Sequence, residues 1–374
     1  MVKKSTFLIL CLEGAILSFN VAAAAALVPS IARDFALSQF VVGKMIWLYM
    51  FPYGIAALIY GPLVRAIDAK KIELVCIFFF SLSNLLAALS GNIYTCFIAR
   101  FFMGLFGASV IPLGLVLIAN HIEQQRRGKY VGIFFSATFV ASLLGLFLSG
   151  IISWRLIYLI PAIAGLFLTG IIYLYLPSFK GDVTGFKINY FAALGDKRML
   201  FIFAYIFVIS LLYHGIQQWL GVYFSDRFGF SQFLISALIT LTSLSGIFGE
   251  AFGGVLADRF GRIRTANLGV LLMVISALLL ILKLPFVLLA LLMIVWGLGW
   301  TFNHAGISTV LTDLPREFLN EAASLNSSVR FISGGVGAAL GGVLMQRGFS
   351  VGFVVFGVSL AALLFLSKTL ESGR

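Results

Sequence analysis

The feature that most constrains the fold of this chain is a succession of apolar segments, each long enough to cross a lipid bilayer. A helix rises about 1.5 Å per residue, so about 20 apolar residues cross the hydrocarbon layer. The sequence contains twelve such segments, near residues 7–28, 41–64, 72–92, 95–118, 129–153, 155–176, 199–222, 233–257, 265–284, 286–311, 321–345 and 350–368. With short connections they occupy nearly all of the 374 residues. The pattern predicts an all-α polytopic membrane protein with twelve transmembrane helices and no soluble domain.

The composition excludes a water-soluble protein. Only 11% of the residues are charged and 61% are hydrophobic, whereas soluble domains carry about 25% charged residues. The net charge is +12, which in a soluble protein can indicate a nucleic-acid partner. Nucleic-acid-binding proteins gather their cations on one face, but here the cations lie in short connections between apolar segments. We therefore expect membrane lipid around the chain and no nucleic-acid partner.

The distribution of Lys and Arg predicts the orientation. If the N-terminus is cytoplasmic, 18 cationic residues lie on the cytoplasmic side and 6 on the other, while Arg100 and Arg330 lie within spans. Cytoplasmic loops carry an excess of Lys and Arg, so we expect both termini in the cytoplasm. The N-terminal segment resembles a secretory signal. Glu13 interrupts its apolar run, however, and its removal would leave an odd number of spans, so we expect it to remain as span one.

An internal repeat divides the chain into two halves. Three matches share one offset of 193 residues: FALSQF at 35–40 with FGFSQF at 228–233, Gly61 with Gly254, and Gly104 with Gly297. Self-similarity at a fixed offset indicates a repeated structural unit. We predict two pseudo-symmetric six-helix bundles, residues 1–176 and 199–374, joined by a polar cytoplasmic linker at 177–198. Parallel repeats of this kind form one known plan of secondary transporters.

The second half carries a loop signature between its second and third spans. In the stretch GGVLADRFGRIR, the pattern G-x-x-x-D-R-x-G-R-x-R is formed by Gly254, Asp258, Arg259, Gly261, Arg262 and Arg264. This pattern resembles the loop signature of the major facilitator superfamily, and the resemblance covers essentially the whole chain. The first half departs from the pattern, because Arg65 stands where aspartate is expected and Asp68 where glycine is expected.

Two further motifs resemble subgroups of this family. Arg100, with the glycines that follow it in span four, resembles the pattern of proton-coupled members. The motif WR-x-I-Y at residues 154–158 resembles the start of span six in drug–proton antiporters, although Leu146 replaces the proline of their span-five motif. The resemblance implies a substrate site lined mainly by spans one, four, seven and ten, and transport by alternating access.

We interpret the loop signature as a gating latch. Asp258 can accept hydrogen bonds from the N-terminal amides of a neighbouring helix, where the helix dipole also favours an acid. The arginines beside it can pair with acids of other helices, and Gly261 permits a tight turn. The predicted gating residues are Gly254, Asp258, Arg259, Gly261, Arg262 and Arg264. The alternative is that the cations only set the topology of the chain.

Ionisable residues inside a membrane are costly to bury, so each one is a functional candidate. Glu13, about 10 Å into span one, can alternate between protonated and charged forms; alternatively it is an ordinary acid near a helix start. Arg100 in span four either finds buried acceptors or extends outward to the headgroups. His304 in span ten either exchanges protons near neutral pH or bridges two helices. We predict proton coupling for Glu13, Arg100 and His304.

Polar and aromatic residues recur at helical spacing in four spans of the chain. The predicted substrate-binding residues are Asn20, Tyr213, His214, Gln217, Trp300, Asn303, Asn326 and Arg330. Arg330, near the middle of span eleven, either binds an anionic substrate group or neutralises an acid such as Glu250. The rings of Tyr213 and Trp300 either stack on a flat or cationic ligand or pack the helices.

The expected function is proton-coupled efflux of small amphipathic or aromatic compounds by alternating access. The alternatives are uptake or exchange of a small organic anion, suggested by Arg100 and Arg330, and a non-transporting sensor with the same fold. No nucleotide-binding loop, hydrolytic triad or metal-ligand cluster stands out in the sequence, so we expect no enzyme activity, cofactor or metal. We expect a monomer in the cytoplasmic (inner) membrane of a prokaryote, with protons, lipid and a small-molecule substrate as partners.

Overall fold

The computed structural model describes residues 4–63, 66–178, 190–311 and 319–366. Of the described residues, 87% are helical, and none of them forms a β-strand. The helices are α1 (Lys4–Ser18), α2 (Ala23–Asp34), α3 (Gln39–Val42), α4 (Lys44–Leu63), α5 (Ala69–Ala88), α6 (Ile93–Gly107), α7 (Val110–His121), α8 (Gln124–Leu148), α9 (Trp154–Tyr175), α10 (Tyr190–Gly195), α11 (Lys197–Gln217), α12 (Leu220–Phe228), α13 (Gln232–Phe260), α14 (Arg262–Leu279), α15 (Phe286–Leu311), α16 (Leu319–Arg347) and α17 (Phe349–Leu366). The prediction of an all-α fold is confirmed.

Most of the predicted spans are present as long apolar helices. Within the described ranges, ten segments are long and apolar enough to cross a membrane: Gln39–Tyr60, Ala69–Ala88, Ile93–Ile118, Arg126–Leu148, Trp154–Tyr175, Lys197–Phe228, Gln232–Glu250, Arg262–Leu279, Phe286–Ser308 and Ser324–Arg347. The pair α1 and α2 forms an eleventh span with a bend of 43°. The shorter apolar helix Phe349–Leu364 lies where the twelfth span is predicted. The chain is a multi-pass membrane protein.

Three of these spans are interrupted. Span one breaks at residues 19–22, span four at 108–109 and span seven at 218–219. The predicted span over 7–28 therefore contains a break, at which α1 and α2 meet at 43°. A break frees backbone groups, which is tolerated at membrane depth only where protein or a water-filled cavity surrounds them. In transporters, interrupted helices commonly form the substrate and ion sites.

The chain divides into two compact units, Met1–Ile188 and Asn189–Arg374, which we call the first and the second unit. In the first unit, α1 packs on α8, α4 on α6 and α5 on α9. In the second unit, α11 packs on α16, α13 on α15 and α14 on α17. Each unit therefore pairs its first span with its fifth, its second with its fourth and its third with its sixth.

The predicted linker, residues 177–198, is only partly described. Residues 179–189 lie outside the described ranges, so the role of this segment as a linker stays a prediction. Its last part is not irregular, because it contains the short helix α10 and the start of α11. The Asp196 side chain accepts a hydrogen bond of 2.9 Å from the backbone N–H of Met199 and so caps α11.

Both units contain the same close approach of two helices. A Cβ atom added at Gly104 of α6 would collide with the backbone oxygen of Tyr49 in α4. A Cβ atom added at Gly297 of α15 would collide with the backbone oxygen of Thr242 in α13. Both the glycines and the carbonyls differ by 193 residues. The sequence repeat thus corresponds to a repeated helix contact that only glycine permits.

The FALSQF and FGFSQF repeats form matching loops before the second span of each unit. Ala36 has a φ of 51° and Gly229, its counterpart at the offset of 193, has a φ of 65°. In each loop a serine caps the helix that follows: the Ser38 side chain accepts from the Phe40 N–H, and that of Ser231 accepts from the Leu234 N–H. The shared backbone explains why these six residues recur.

Candidate functional site

In the loop signature of the second unit, a single residue connects two helices. Helix α13 ends at Phe260, α14 begins at Arg262, and Gly261 between them has φ 98° and ψ 145°. A positive φ of this size is strained for any residue with a side chain. The tight turn predicted at Gly261 is therefore present in the structure.

The charged residues of this signature lie on the surface of the second unit. Asp258, Arg259 and Arg264 are exposed, and Arg262 is half-buried. Nothing would meet a Cβ atom added at Gly254, whereas one at Gly253 would meet Ala305 of α15. The close helix packing at this end therefore depends on Gly253, and the latch role of the signature stays a prediction.

The equivalent loop of the first unit is longer and is held by its own unit. Arg65 lies outside the described residues. The Asp68 side chain caps α5 by accepting from the Lys70 N–H at 3.0 Å, and it also accepts from the Ser178 hydroxyl. The Lys70 ammonium donates to the backbone oxygen of Tyr173 at 2.9 Å, near the end of α9. Asp68 stands where the pattern expects glycine, and here it acts as a helix cap.

Arg100 is fully buried in the first unit. Its Nε donates to the backbone oxygen of Met45 at 3.2 Å, and its guanidinium lies 4.3 Å from the centroid of the Tyr49 ring. It is also within interaction range of the Tyr158 hydroxyl. The structure thus supplies the backbone acceptor and adds a cation–π contact. The outward-extending alternative does not apply, and a part in proton coupling stays a prediction.

The tryptophan and arginine that begin span six clamp three helix ends. Arg155 donates to the backbone oxygens of Ala88 (3.0 Å) and Ser90 (2.8 Å) at the end of α5. It also contacts the Asp34 carboxylate at 3.2 Å, to which the Trp154 indole N–H donates at 3.1 Å. A cation beside the final carbonyls of a helix is favoured by the helix dipole. The motif therefore stabilises this end of the first unit.

Glu13 lies inside the first unit beside a second buried acid. Glu13 of α1 and Glu73 of α5 are each 1% exposed. The two carboxyl groups interact with each other. Among the described residues, no N–H or O–H group outside the pair donates to any of their four oxygens. Glu73 was not among the predicted site residues; its place one turn into span three, in an otherwise apolar run, was the available signal.

Asn20 lies at the break in span one. It is fully buried, and its side-chain amide donates to the Asn84 side-chain oxygen of α5. Asn84 in turn donates to the backbone oxygen of Phe80 at 2.9 Å. The Asn20 side-chain oxygen is buried and accepts no hydrogen bond from any described group. Asn20 therefore joins α5 to the interrupted span, and its predicted contact with substrate stays a prediction.

An aromatic stack forms the centre of the second unit. The Tyr213 ring of α11 lies between two indoles of α15, with centroids 4.0 Å from Trp300 and 5.3 Å from Trp296 and interplanar angles of 16° and 13°. Trp296 is fully buried, Tyr213 is 8% exposed and Trp300 is half-buried. Tyr213 offers little ring surface to a ligand, because it stacks on both indoles and is only 8% exposed. Trp300 is the accessible ring of the stack.

Gln217 and His214 fix the α11 side of this stack. The Gln217 side chain accepts from the Trp296 indole N–H at 2.7 Å and donates to the Thr242 hydroxyl at 3.3 Å. The His214 Nδ1 lies 2.8 Å from the backbone oxygen of Ser210. Because a carbonyl can only accept, Nδ1 carries a proton, and the Nε2 of a neutral ring is left as an acceptor. Gln217 thus anchors Trp296, while His214 retains one atom able to bind a ligand.

Arg330 of α16 faces the same stack. Its guanidinium carbon lies 5.8 Å from the Trp300 ring centroid, and its Nε donates to the Asn326 side-chain oxygen at 2.9 Å. Both terminal nitrogens are buried and donate to no described group. A buried guanidinium without acceptors is costly, so an added acceptor at this place would be strongly favoured. Asn326 positions the arginine.

His304 pairs with the acid that was expected to neutralise Arg330. The His304 Nδ1 lies 2.7 Å from a carboxylate oxygen of Glu250 in α13, and both side chains are about one-third exposed. Glu250 is still near enough to Arg330 for electrostatic attraction. The pairing was not predictable from sequence, because it depends on how α13 and α15 are rotated against each other. A part of His304 in proton coupling stays a prediction.

Asn303 points away from the accessible ring of the stack. It is 1% exposed, and its amide donates to the Tyr205 hydroxyl at 2.6 Å and to the backbone oxygen of Ala266 at 3.3 Å. These contacts tie α15 to α11 and α14. We therefore leave Asn303 out of the candidate site, which consists of Trp300, Arg330, His214 and the supporting Tyr213.

The two-unit helical fold, its interrupted spans and its buried ionisable residues define a membrane transporter. The family model of the Major Facilitator Superfamily matches residues 10–338. The chain belongs to the major facilitator superfamily. The predicted family is therefore confirmed.

Named relatives and solved structures agree with this assignment. The chain is 22% identical over 325 residues to the purine ribonucleoside efflux pump NepI of Salmonella paratyphi B, a match that covers 86% of this chain and 82% of the relative. A bacterial homologue of the human lysosomal transporter Spinster, solved inward-facing and unoccupied, has a TM-score of 0.78 at 16% identity and covers 100% of this chain and 99% of its own. The nucleoside transporter NupG has a TM-score of 0.76 at 14% identity and covers 98% of both chains. At such low identity the solved structures show the fold alone.

Proposed function

We propose that the chain is a proton-coupled exporter of small flat heteroaromatic solutes of the nucleoside kind, working by alternating access in a prokaryotic inner membrane. The observation that carries the proposal is the grouping of the accessible Trp300 ring with the unpartnered guanidinium of Arg330. A heteroaromatic ring stacks on an indole and presents acceptors at its edge, so it satisfies both groups at once.

The stack gives Trp300 a rigid support. Tyr213 covers the inner face of the Trp300 indole and is itself backed by Trp296, which is fixed by Gln217. A preorganised aromatic platform loses little conformational entropy when a ligand binds. Stacking of a base on such a ring is worth about 1–3 kcal/mol. Trp300 therefore supplies affinity, and the polar groups beside it supply selectivity.

Two polar groups beside the platform favour a purine or similar ring. The terminal nitrogens of Arg330 can donate to ring nitrogens or exocyclic oxygens, and the His214 Nε2 can accept from an exocyclic amine. The relative NepI bears the name of a purine ribonucleoside efflux pump, which supports both the solute class and the outward direction. Buried acids and histidines in the spans support proton coupling.

Export or uptake of a small organic anion is the second candidate. Arg330 favours it, because its buried terminal nitrogens donate to no described group. A carboxylate would form two parallel charge-assisted hydrogen bonds with this guanidinium. An aromatic carboxylate would also stack on Trp300. The two candidates therefore differ in whether the solute must carry a negative charge.

The proposal is tested with the full chain in detergent and in proteoliposomes. Adenosine, inosine and the anion benzoate are compared as ligands by their effect on thermal unfolding, since binding to the folded state raises the midpoint. Radiolabelled inosine uptake is then followed into vesicles with an acid interior, with and without an uncoupler. We expect nucleosides to stabilise the protein and to accumulate only while the pH gradient persists.

Two tryptophan variants make the test specific to the site. Trp300→Ala should raise the nucleoside Kd about tenfold. The control Trp47→Ala removes a half-buried tryptophan of the first unit, which contacts Phe51 at 6.0 Å, and should leave the Kd unchanged. Stabilisation by benzoate but not by nucleosides would select the anion candidate. Stabilisation by neither, or accumulation indifferent to the gradient, would contradict the proposed function.

A further inference from the structure

We propose that Glu13 and Glu73 form one coupled carboxyl pair that binds and releases the coupling proton within the first unit. The inference rests on the proposed function, which it deepens by naming a residue pair for the proton. It adds Glu73, which neither the family motifs nor the relatives' names indicate.

Glu13 and Glu73 differ from two surface acids in their burial. Each glutamate is 1% exposed, and all four carboxyl oxygens are buried. The two carboxyl groups lie within electrostatic range of each other, and no described N–H or O–H group donates to any of their four oxygens. Buried polar atoms without partners are rare, because each has lost its hydrogen bonds to water without a replacement. A proton shared by the two carboxyls supplies the missing hydrogen bond.

The surroundings of the pair are apolar. Helix α1 packs on α7, α8 and α9, and α5 packs on α6, α7 and α9. Beside the two acids lies a buried apolar cluster whose members include Leu10 and Cys11 of α1, Ile72 and Cys76 of α5, Leu113 and Leu117 of α7, and Phe134 of α8. Such surroundings give no solvation to a second negative charge.

The described cations nearest to the pair along α5 are directed elsewhere, because Lys70 donates to the backbone oxygen of Tyr173 and Lys71 is exposed. The groups within electrostatic range are Asp68 and Cys76 of α5 and, through Cys76, Tyr60 of α4. The cations of α8 that the structure describes, Arg126, Arg127 and Lys129, are exposed near the helix start. Arg100 of α6 is occupied by Met45 and Tyr49, and Arg155 of α9 by the end of α5. The side chain of His121, in α7, lies outside the described residues.

These conditions dictate how the pair titrates. Two adjacent carboxylates without a counter-charge do not ionise together, so one proton stays on the pair while the other can leave. That proton can pass between the two: an O–H bond forms on one carboxyl as the bond on the other breaks, and the net charge is unchanged. The pair thus stores one proton and exchanges another.

A second polar contact links the pair to the break in span one. Asn20 and Asn84, which are hydrogen-bonded, lie seven residues after Glu13 and eleven after Glu73. A spacing of eleven residues is about three helical turns, so Asn84 lies on the same face of α5 as Glu73, while Asn20 lies just beyond the end of α1. The span breaks at residues 19–22. Protonation of the pair therefore changes the charge between α1, which ends at this break, and α5, to which the break is hydrogen-bonded through Asn20 and Asn84.

Infrared spectroscopy on the detergent-solubilised full chain tests the pair without any transport measurement. We expect a C=O band of a protonated carboxylic acid in apolar surroundings near neutral pH. Glu13→Gln/Glu73→Gln should remove it. Either single variant should retain one such band, with a titration midpoint displaced by about one pH unit or more, because coupled groups titrate as a pair. The control Glu123→Gln changes an exposed glutamate that contacts Arg126 and should leave the band unaltered.

Proteoliposome transport then connects the pair to coupling. Gradient-driven inosine accumulation should fall to the level of empty vesicles in Glu73→Gln and return in Glu73→Asp, which restores the acid; Glu123→Gln should match the parent. Gradient-driven accumulation in the parent and equally in Glu73→Gln would overturn the inference and leave the proposed function standing. If the parent shows no gradient-driven transport, the proposed function fails, and the infrared result alone decides whether the pair binds a proton. Absence of the band, or its persistence in the double variant, would overturn the pair.

Discussion

The two units differ most clearly in the loop between their second and third spans. In the second unit this loop is the single residue Gly261, with a φ of 98°, and the charges around it are mainly exposed. In the first unit the described part of this loop is residues 66–68, and Asp68 caps α5 and also accepts from Ser178. At the offset of 193, Asp68 and Gly261 are equivalent. One position therefore joins the same two spans either by a backbone bend or by a side-chain cap.

The polar interiors of the two units differ in the same way. At the offset of 193, Glu13 and Glu73 correspond to Ile206 and Ala266 of the second unit. In the opposite direction, Trp300 and Arg330 correspond to Gly107 and Ala137 of the first unit. The acid pair and the aromatic site thus each occur in one unit only.

What the units share is the contact of helix with helix. The three helix pairings and the glycine–carbonyl approaches at Gly104 and Gly297 occur in both. Close approach of backbones is what holds helices together in lipid, where apolar side chains gain little by leaving the bilayer. The fold therefore depends on small residues that have stayed equivalent, while the polar residues that suit proton and solute have diverged.

The largest expected effect comes from the shared glycines. Gly104→Val and Gly297→Val each place a branched side chain against a backbone oxygen that cannot move aside. We expect each to destabilise its unit by about 3 kcal/mol or more, and the two losses to be similar. Thermal unfolding in detergent measures this. Gly170→Val is the control, because a Cβ at Gly170 in α9 meets nothing within 4 Å. Intact stability in one of the two variants would break the equivalence of the units.

We expect a smaller effect at the end of the third span. The backbone carbonyls there accept hydrogen bonds from a different side chain in each unit. Arg155 donates to the carbonyls of Ala88 and Ser90 in the first unit, whereas the Tyr223 hydroxyl donates to the Leu280 carbonyl at 2.6 Å in the second. Hydrogen bonds from a charged donor contribute about 1.5–3 kcal/mol and neutral ones about 0.5–1.5 kcal/mol.

Unfolding midpoints should therefore fall further for Arg155→Ala than for Tyr223→Phe. Arg126→Ala, which removes an exposed pair with Glu123, should change stability by less than about 0.5 kcal/mol. Equal losses of stability in Arg155→Ala and Tyr223→Phe would show that the contact between Arg155 and Asp34 does not stabilise the first unit.

The sequence predicted two kinds of feature: those that follow from apolar length and those that recur in the repeat. Apolar length indicated the spans, and the offset of 193 led to Gly104 and Gly297, which occupy the same helix contact in the two units. It did not predict which polar groups meet. Pairing with Glu250 was one of two alternatives for Arg330, but the 2.7 Å contact of Glu250 with His304 was not predicted, because the rotation of each helix decides such pairs.

Glu73 shows a second reason for failure. It lies in a run that reads as an ordinary helix start, and the repeat gives no warning, since Ala266 occupies the equivalent position. Only the arrangement of α1 beside α5 reveals that Glu73 shares its burial with Glu13. Functional residues that break the symmetry of a repeat are invisible to the repeat itself.

The smallest expected effect concerns Ala36 and Gly229, which have equivalent positive φ angles of 51° and 65°. Alanine in the left-handed region is strained by about 1–2 kcal/mol, and glycine loses about 0.4–1 kcal/mol through its freer unfolded chain. Ala36→Gly should therefore raise the free energy of unfolding by about 0.5–1 kcal/mol, and Gly229→Ala should lower it by a similar amount. Opposite shifts of the unfolding midpoint would show that the second unit already has the unstrained residue. A loss of stability in Ala36→Gly would mean that the first-unit loop gains more from the Ala36 side chain than it loses in strain, so that its departure from FGFSQF is not a defect.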